Sequence, residues 1–447
     1  MNASTQRTGT LVGLISLFFL WGLLTSLNDI LVPYFKAHFE LPHWLAQFVQ
    51  LFFFLAYLIM SFPSGRIIQR VGYQKGIVMG LGGMALGCLI FYPAAMVGQF
   101  WMFLLGLFVL ATGITILQVA ANPYVVAIGD EAGGASRLNL AQGFNSLGHV
   151  LAPLVGTVLI LQEVSSNAGL ETVQVPYLIL AGILIAGAFV FSRLSLPNLA
   201  TGEVARFRDV GAFLKENPVF VGSMLAIFCY VGAEIAVGSV LVNYFQEDKS
   251  IALPPSLGGF FVSLYWGSAM LGRFLGAWAL RSEGKPFYGR MVALALAAIA
   301  VLWFIASRDV LYDYSVALGL SVIVLVNLLA FLALPKNPAV LLSGFALANI
   351  VLLVLTMTTS GSVALYSVLG VGLFNSIMWS NIFALAIKGL GKRTTLASAL
   401  LVAMIAGGAI LPPLQGALAD AVSLKLSFLV PLLAYVYLAW YGRSKAS

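Results

Sequence analysis

The sequence predicts an all-α protein that crosses a membrane many times, and three features support this. Of its 447 residues, 61% are hydrophobic and only 9% are charged, whereas soluble domains carry about 25% charged residues. Apolar runs of the length that spans a bilayer, about 20 residues, recur along the whole chain. Most lysines and arginines fall in alternate loops, as expected when those loops face the cytoplasm.

The first half of the chain contains six predicted membrane helices, and the second half contains eight. The first six lie at about 11–35, 45–69, 76–97, 100–128, 137–161 and 174–195. The other eight lie at about 218–246, 256–280, 287–305, 312–334, 338–358, 361–388, 393–419 and 425–441. We therefore predict fourteen transmembrane helices, in an N-terminal bundle at 1–195 and a C-terminal bundle at 217–447, joined by a polar cytoplasmic linker at 196–216.

The charge pattern also indicates orientation and partners. An even number of crossings places both termini on the side that carries the basic loops, which is the cytoplasmic side. The formal net charge of +7 belongs to these short loops, so it does not indicate a nucleic-acid partner. We expect a monomer surrounded by the lipid bilayer.

Short strings recur in the two halves of the chain in the same order. ILVPYF at 30–35 matches VLVNYF at 240–245, PSGR at 63–66 matches MLGR at 270–273, and APLVG at 152–156 matches PPLQG at 412–416. Internal repeats on either side of a linker are typical of transporters in which two bundles rock against each other. The repeats therefore favour a secondary transporter.

A row of amide side chains marks the fourth and fifth predicted helices. It comprises Gln118, Asn122, Asn139, Gln142 and Asn145, with His149 on the same face. An unpaired amide in hydrocarbon costs several kcal/mol, so these helices must face a partner helix or a watery cavity. We interpret them as one wall of a site for a neutral polar molecule, because amides offer donors and an acceptor to hydroxyl groups. Gln142 and Asn145 are the preferred ligands, then Gln118, whereas Asn139 and His149 suit structural roles.

Asp29 is the only acid in the first apolar run, and Asn28 lies beside it. A charge at the centre of a membrane helix costs roughly 2.5–3.5 kcal/mol, which an unpaired acid avoids by binding a proton. We therefore predict that Asp29 carries the coupling ion; the alternative is a hydrated acid near the outer helix end. Glu234, in the seventh helix, either binds the substrate or an ion, or forms a structural hydrogen bond to a neighbouring helix.

Arginines and a short acidic loop suggest a gate. Arg273 lies in the eighth predicted helix, and its match to Arg66 in the repeated strings places it at an inner helix end. A snorkelling or gating arginine fits that position. Asp130 and Glu131 lie in a loop at the inner mouth. We hypothesise that these acids pair with the arginines and hold an outward-open state.

In the second half, Asn375 and Trp379 are one helical turn apart and so are predicted to share a face. An amide beside an indole is a plausible sugar platform, since the apolar face of a pyranose packs on the aromatic ring. Most tryptophans of such a chain are packing or interfacial residues, which is the alternative role for Trp379.

Longer blocks resemble the fucose permease family of major-facilitator sugar symporters, and above all its glucose/galactose branch. These blocks are LNDILVPYF (27–35), LQVAANPYV (117–125), RLNLAQGFNSLG (137–148), YVGAEIAVGS (230–239), SLYWGSAMLGR (263–273) and GLFNSIMWSNIF (372–383). The resemblance implies the major-facilitator fold of two six-helix bundles, alternating access, and ion-coupled monosaccharide uptake through a bacterial inner membrane. It also points to Asp29 as the coupling residue and to Trp379 as a sugar contact.

Two features depart from the pattern of that family. Fucose permeases carry a glutamate at the position of Gln118, so the fourth helix lacks an ionisable group here. The family has twelve helices, whereas this chain has surplus residues between SLYWGSAMLGR and GLFNSIMW. We assign the surplus to an inserted two-helix hairpin at about 287–334, which we expect to lie against lipid at the edge of the bundle.

These observations favour a secondary active transporter that imports a neutral monosaccharide, glucose or galactose, by symport with a proton. Sodium coupling, another sugar such as fucose, mannose or N-acetylglucosamine, and a non-transporting sugar sensor are alternatives; drug export would predict an aromatic site with few amides. The three histidines are dispersed, and the sequence contains no nucleophile–base pair, metal-ligand cluster or phosphate-binding loop. We therefore expect no enzyme activity and no cofactor apart from the coupling cation.

Overall fold

The computed structural model describes residues 3–127, 134–156, 169–194, 207–279, 288–308, 313–335, 337–387 and 394–446. Within these ranges the chain forms α-helices, with short 3-10 turns at Leu170–Val173, Met404–Ala406 and Leu426–Phe428. The prediction of an all-α chain is confirmed. Twelve helical segments of the described residues are long and apolar enough to cross a membrane.

The first half of the chain forms helices that pack mainly against one another. They are α1 (Ala3–Ser26), α2 (Asn28–His38), α3 (His43–Ala46), α4 (Phe48–Val71), α5 (Tyr73–Val97), α6 (Phe100–Ala127), α7 (Gly134–Gly156) and α8 (Gln174–Arg193). α5 packs against α6 and α8, α4 against α6, and α1 against α7. The α1–α7 contact is close because Gly148 lies in it: an added Cβ would lie 2.3 Å from the carbonyl oxygen of Phe19.

The second half begins with α9 (Phe207–Glu216), which occupies the end of the predicted linker, so that part of the linker is helical. The remaining helices are α10 (Pro218–Glu247), α11 (Pro255–Ala279), α12 (Tyr288–Ala306), α13 (Tyr314–Ala333), α14 (Pro338–Thr358), α15 (Gly361–Asn375), α16 (Met378–Ile387), α17 (Thr394–Ala403), α18 (Gly407–Ala421) and α19 (Leu429–Ala446). α10 packs against α18 and α19, α11 against α15, and α14 against α15 and α19. The two halves meet where α7 packs on α11, α4 on α18, and α2 on α10.

The predicted count of fourteen crossings differs from the twelve segments found by length and hydropathy. α7 and α11 form where the sequence predicts them, but neither is among the twelve. Tyr265, Trp266 and Arg273 lower the mean hydropathy of α11. The side chains of α7 are described only in part.

α12 and α13 lie within 287–334, where the inserted hairpin is predicted; they pack on each other, and α13 also packs on α15. Trp303 Nε1 of α12 donates to Ser321 Oγ of α13 at 3.1 Å. Large apolar side chains of α12, such as Phe304, are exposed, as expected for a helix that faces lipid. Asp313 precedes α13 and accepts from Ser315 Oγ and from two backbone amides, and these bonds lower the pKa of Asp313.

The two halves are in contact where α2 and α10 end, and we call this end of the helical bundle the far end. Here Glu247 at the end of α10 pairs with Lys36 of α2 at 3.1 Å and with His43 of α3 at 3.3 Å. Asp420 of α18 accepts from the backbone nitrogens of His43 and Trp44, each at 2.9 Å. Charged side chains therefore hold the halves together at the far end.

Candidate functional site

Asp29 lies in the first turn of α2, directly after the interruption between α1 and α2, and is almost completely buried. Its carboxylate accepts hydrogen bonds from Ser26 Oγ at 3.3 Å and from Gln50 Nε2 of α4 at 3.2 Å. A third bond comes from the opposite half, where Trp266 Nε1 of α11 donates to Asp29 Oδ2 at 2.8 Å. The predicted coupling residue is therefore buried at the junction of the two halves.

Trp266 is buried between Asp29 and His149, whose ring centroid lies 4.9 Å from that of the indole. His149 Nδ1 is 2.9 Å from the backbone oxygen of Asn145, one turn earlier in α7. The sequence prediction of a packing role for His149 is compatible with this contact. Gly238 of α10 completes the surroundings: a Cβ added there would lie 3.5 Å from the Trp266 ring and 3.7 Å from Asp29 Oδ2.

Glu234 lies one turn of α10 before Gly238 and is also buried. Its carboxylate accepts from Tyr230 OH at 2.7 Å, and Oε1 lies 3.7 Å from Arg273 Nη2 of α11. Arg273 Nη1 donates in turn to Ser146 Oγ of α7 at 2.5 Å. The Arg273 side chain therefore reaches the interior and joins the two halves, although its match to Arg66 suggested an inner helix end.

The amides predicted in α7 differ in their surroundings. Asn145 is buried, and its Nδ2 donates to the backbone oxygen of Phe18 in α1 at 3.0 Å. This bond ties α7 to α1 within the first half. Gln142 is half-buried one turn earlier, and its backbone oxygen accepts from Ser146 Oγ at 2.9 Å. Of the two preferred ligands, Gln142 is the more accessible.

Gln118 in α6 donates through Nε2 to Tyr57 OH of α4 at 3.0 Å and is half-buried. Asn28 is buried beside Asp29, and both polar atoms of its side chain lack a hydrogen-bond partner among the described residues. An unpaired buried amide is costly, so a ligand or ordered water would stabilise it. Asn122 and Asn139 lie in α6 and α7, but their side chains are outside the described residues.

Asn375 ends α15 and is the centre of a buried hydrogen-bond network. Its Nδ2 donates to Tyr265 OH at 3.0 Å, while Oδ1 accepts from Asn349 Nδ2 at 2.9 Å and from Tyr435 OH at 2.7 Å. Trp379 lies beyond the break between α15 and α16, is half-buried, and stacks on Phe383 at 5.0 Å. Asn375 and Trp379 have different neighbours, and a helix break lies between them.

Of the four residues predicted to form an inner gate, Arg66 and Arg273 lie in the described part of the structure, and the two acids lie outside it. Arg66 is exposed near the end of α4 and lines an open cavity of about 340 Å³ with Phe62, Pro63, Ile67 and Arg70. Asp130 and Glu131 lie outside the described residues. The hypothesis that these acids pair with Arg66 and Arg273 stays a prediction.

Sequence reasoning missed three contributors to the site and its closure. Gln50 and Trp266 both bind Asp29, and Glu247 joins the halves at the far end. Trp266 is separated from Asp29 by 237 positions, so no spacing rule connects them. The polar pair Gln47 and Gln50 at the start of the second apolar run was the one available signal.

Two helical halves that enclose buried carboxylates and amides define a multi-pass membrane transport protein. A family model described as Major Facilitator Superfamily matches residues 11–338. The chain belongs to the Major Facilitator Superfamily.

Individual relatives extend over almost the whole chain. The "Glucose/galactose transporter" of Brucella abortus biovar 1 (strain 9-941) is 40% identical over 97% of this chain and 93% of that protein. The "L-fucose-proton symporter" of Escherichia coli (strain K12) is 31% identical over 97% of this chain and 92% of that protein. The crystal structure of the superfamily transporter FucP in the outward conformation matches with a TM-score of 0.67 and 28% identity, covering 99% of this chain and 100% of FucP. The resemblance noted from the sequence is confirmed.

Proposed function

We propose that this protein imports a neutral monosaccharide, glucose or galactose, by symport with a proton. The observation that carries the proposal is the buried Asp29, which accepts hydrogen bonds from both halves of the chain. An ionisable residue at such a junction links ion binding to movement of the halves. The relatives named glucose/galactose transporter and L-fucose-proton symporter support both the sugar and the proton. Fucose, mannose and N-acetylglucosamine are the alternative sugars.

Asn28 and Gln142 are the proposed first contacts for sugar hydroxyls, with Gln118 and Asn122 next. The Asn28 amide has no hydrogen-bond partner within the described part of the chain, which supports its assignment. Asn145 contributes by fixing α7 against α1. In the second half, Glu234, Asn375 and Trp379 are the proposed contacts.

The proton is favoured over sodium because of the groups around Asp29. The three hydrogen-bond partners that Asp29 has among the described residues all present a hydrogen to the carboxylate. Hard cations require several oxygen ligands, whereas a proton binds to the carboxylate alone. A sodium-coupled carrier with Asp29 as ligand is the alternative.

The proposed topology places both termini in the cytoplasm of a bacterium and the far end outside its inner membrane. α7 and α11 cross the bilayer as well, which gives fourteen helices, with α12 and α13 as a hairpin inserted between α11 and α14. The N-terminal bundle extends over 1–195, the linker over 196–216, and the C-terminal bundle over 217–447. The protein acts as a monomer in lipid, without an enzyme reaction, nucleic acid or cofactor.

The proposed transport cycle follows from the closed far end. Sugar and proton enter when the far end opens and the contacts of Glu247 with Lys36 and His43 separate. Closure of the far end then places the loaded site toward the cytoplasm. Arg66, Asp130 and Glu131 are the proposed inner gate, and Arg273 takes part through its pair with Glu234.

Uptake by purified protein in liposomes tests the proposal. Labelled glucose, galactose, fucose, mannose and N-acetylglucosamine are each supplied under a proton gradient and, separately, under a sodium gradient at fixed pH. We expect accumulation of glucose or galactose under the proton gradient alone. Accumulation under the sodium gradient alone would show that sodium, and not the proton, is the coupling ion. No accumulation of any sugar under either gradient would overturn the proposed function.

A further inference from the structure

We propose that Trp266 is a positioning residue that transmits the charge of Asp29 to the opposite half of the protein and so holds the far end closed. The inference rests on the proposed function, because it takes the halves to alternate between two arrangements. Trp266 is the residue of the second half that donates to Asp29 in the described part of the chain. Ser26 and Gln50, the other two partners, belong to the first half.

The three partners differ in what they can do when Asp29 binds a proton. A hydroxyl either donates or accepts, and an amide turned by half a rotation presents its oxygen in place of its nitrogen, so Ser26 and Gln50 suit both forms of the acid. The Oε1 atom of Gln50 is buried without a partner among the residues that the structure describes, which suits that exchange. An indole N–H only donates. Trp266 therefore binds most strongly to the ionised carboxylate, because charge-assisted hydrogen bonds are roughly twice as strong as neutral ones.

Trp266 is also placed where its bond affects closure. α2 carries Asp29 near its start and Lys36 near its end, and Lys36 pairs with Glu247. The Asp29–Trp266 bond at 2.8 Å is thus a further link between the halves, seven residues before Lys36 in the same helix. Ionised Asp29 strengthens this link, so closure of the far end and release of the proton favour each other. This order suits a carrier that takes up its proton outside and releases it inside.

Three other titratable groups lie near this link and remain unchanged in every variant of the test. The His149 ring lies 4.9 Å from that of Trp266. Glu234 and Arg273 form their own pair in α10 and α11. A double-mutant cycle between Trp266 and Asp29 removes the contributions of these groups from the comparison.

The test measures how fast a maleimide alkylates Asn243→Cys in protein from which Cys88 and Cys229 have been removed. Asn243 is buried one turn of α10 before Glu247 and on the same face, so it becomes reactive when the far end opens. Labelling is done on the whole chain in detergent, which exposes both ends and requires no sugar. We expect Trp266→Phe to raise the labelling rate about tenfold, which corresponds to about 1.4 kcal/mol.

The controls separate a link between the halves from general loosening. In the Asp29→Leu background Trp266 has no acceptor, and Trp266→Phe should change the rate less than about twofold. Trp21→Phe removes another buried indole N–H, and Gln50→Leu removes a donor from the same half as Asp29; each should leave the rate nearly unchanged. An equal effect of Trp266→Phe in both Asp29 backgrounds, or an equal effect of Gln50→Leu, would overturn the inference. Labelling requires no sugar. The experiment therefore tests the role of Trp266 even if the protein fails to accumulate any of the proposed sugars.

Discussion

Arg273 of α11 lies 3.7 Å from the Glu234 carboxylate of α10 and donates to Ser146 of α7 at 2.5 Å. One guanidinium therefore neutralises the buried acid of the second half and contacts the first half. Arginine suits this position because its planar group keeps its charge and donates in several directions at once. The two buried acids differ in this respect: Glu234 has a cationic partner, whereas the three partners of Asp29 in the described part of the chain are neutral side chains.

The pairing of Glu234 with Arg273 predicts that removing Arg273 alone destabilises the protein much more than replacing both residues. Arg273→Met leaves a buried charge without its partner, which costs roughly 3–5 kcal/mol of stability. Adding Glu234→Gln removes that charge and should restore most of the loss. Thermal unfolding of the purified protein in detergent measures both. If Arg273→Met is as stable as the parent, the pair contributes nothing in the folded state.

Asp29→Asn tests ion coupling. The amide is isosteric with the acid but binds no proton, so the variant should exchange labelled for unlabelled sugar across a liposome membrane and fail to accumulate it. Asp313→Asn is the matched control, because asparagine also caps a helix and Asp313 lies outside the site. If the Asp29→Asn variant accumulates sugar as fully as the parent, Asp29 does not carry the coupling ion.

Two amides of α7 should respond differently to replacement by alanine. Asn145→Ala breaks the tie to α1 and should lower stability by about 0.6 kcal/mol, the average for such interhelical bonds. Gln142→Ala should leave stability unchanged and raise the KM for sugar about tenfold. Unfolding curves and uptake kinetics of the two variants separate the roles. The opposite pattern would assign the sugar contact to Asn145.

The hairpin of α12 and α13 should be dispensable for transport. Its outer side chains are exposed apolar residues, and deletion of 287–334 would leave α11 and α15 covered by lipid instead. We expect uptake by the deletion variant at about the parent rate, measured with equal amounts of folded protein in liposomes. A folded deletion variant without uptake would place the hairpin in the transport machinery. The matched control is a deletion joined by a linker of different length, which separates loss of the hairpin from strain at the junction.

The sequence predicts the helices well because apolar runs and basic loops are local signals. It also finds Asp29, since one acid in an apolar run stands out without knowledge of its partners. Contacts between distant segments leave no such signal, and Trp266 and Glu247 were therefore missed. The contacts of Arg273 with Glu234 and Ser146 were not predicted for a related reason: the repeat aligned its backbone position with Arg66, but a long side chain extends well away from its helix position.

Helix breaks limited the prediction for the second half of the site. Asn375 and Trp379 were assigned to one face on the assumption of a continuous helix. The regular helix is interrupted between Asn375 and Met378, so the spacing of a continuous helix with 3.6 residues per turn does not by itself place the two side chains together. Asn375 is instead fully engaged with Tyr265, Asn349 and Tyr435.

Closure of the far end depends on Glu247, which pairs with Lys36 and His43 of the other half. Half-exposed ion pairs contribute about 0.2–1 kcal/mol each, so Glu247→Gln should raise the labelling rate of Asn243→Cys by a few-fold. Glu40→Gln is the matched control, because Glu40 is an exposed acid in the connection between α2 and α3. High salt screens exposed pairs and should raise the parent rate toward that of Glu247→Gln. Equal rates for the parent, Glu247→Gln and Glu40→Gln at low salt would show that the far end is held closed by apolar packing and buried hydrogen bonds alone.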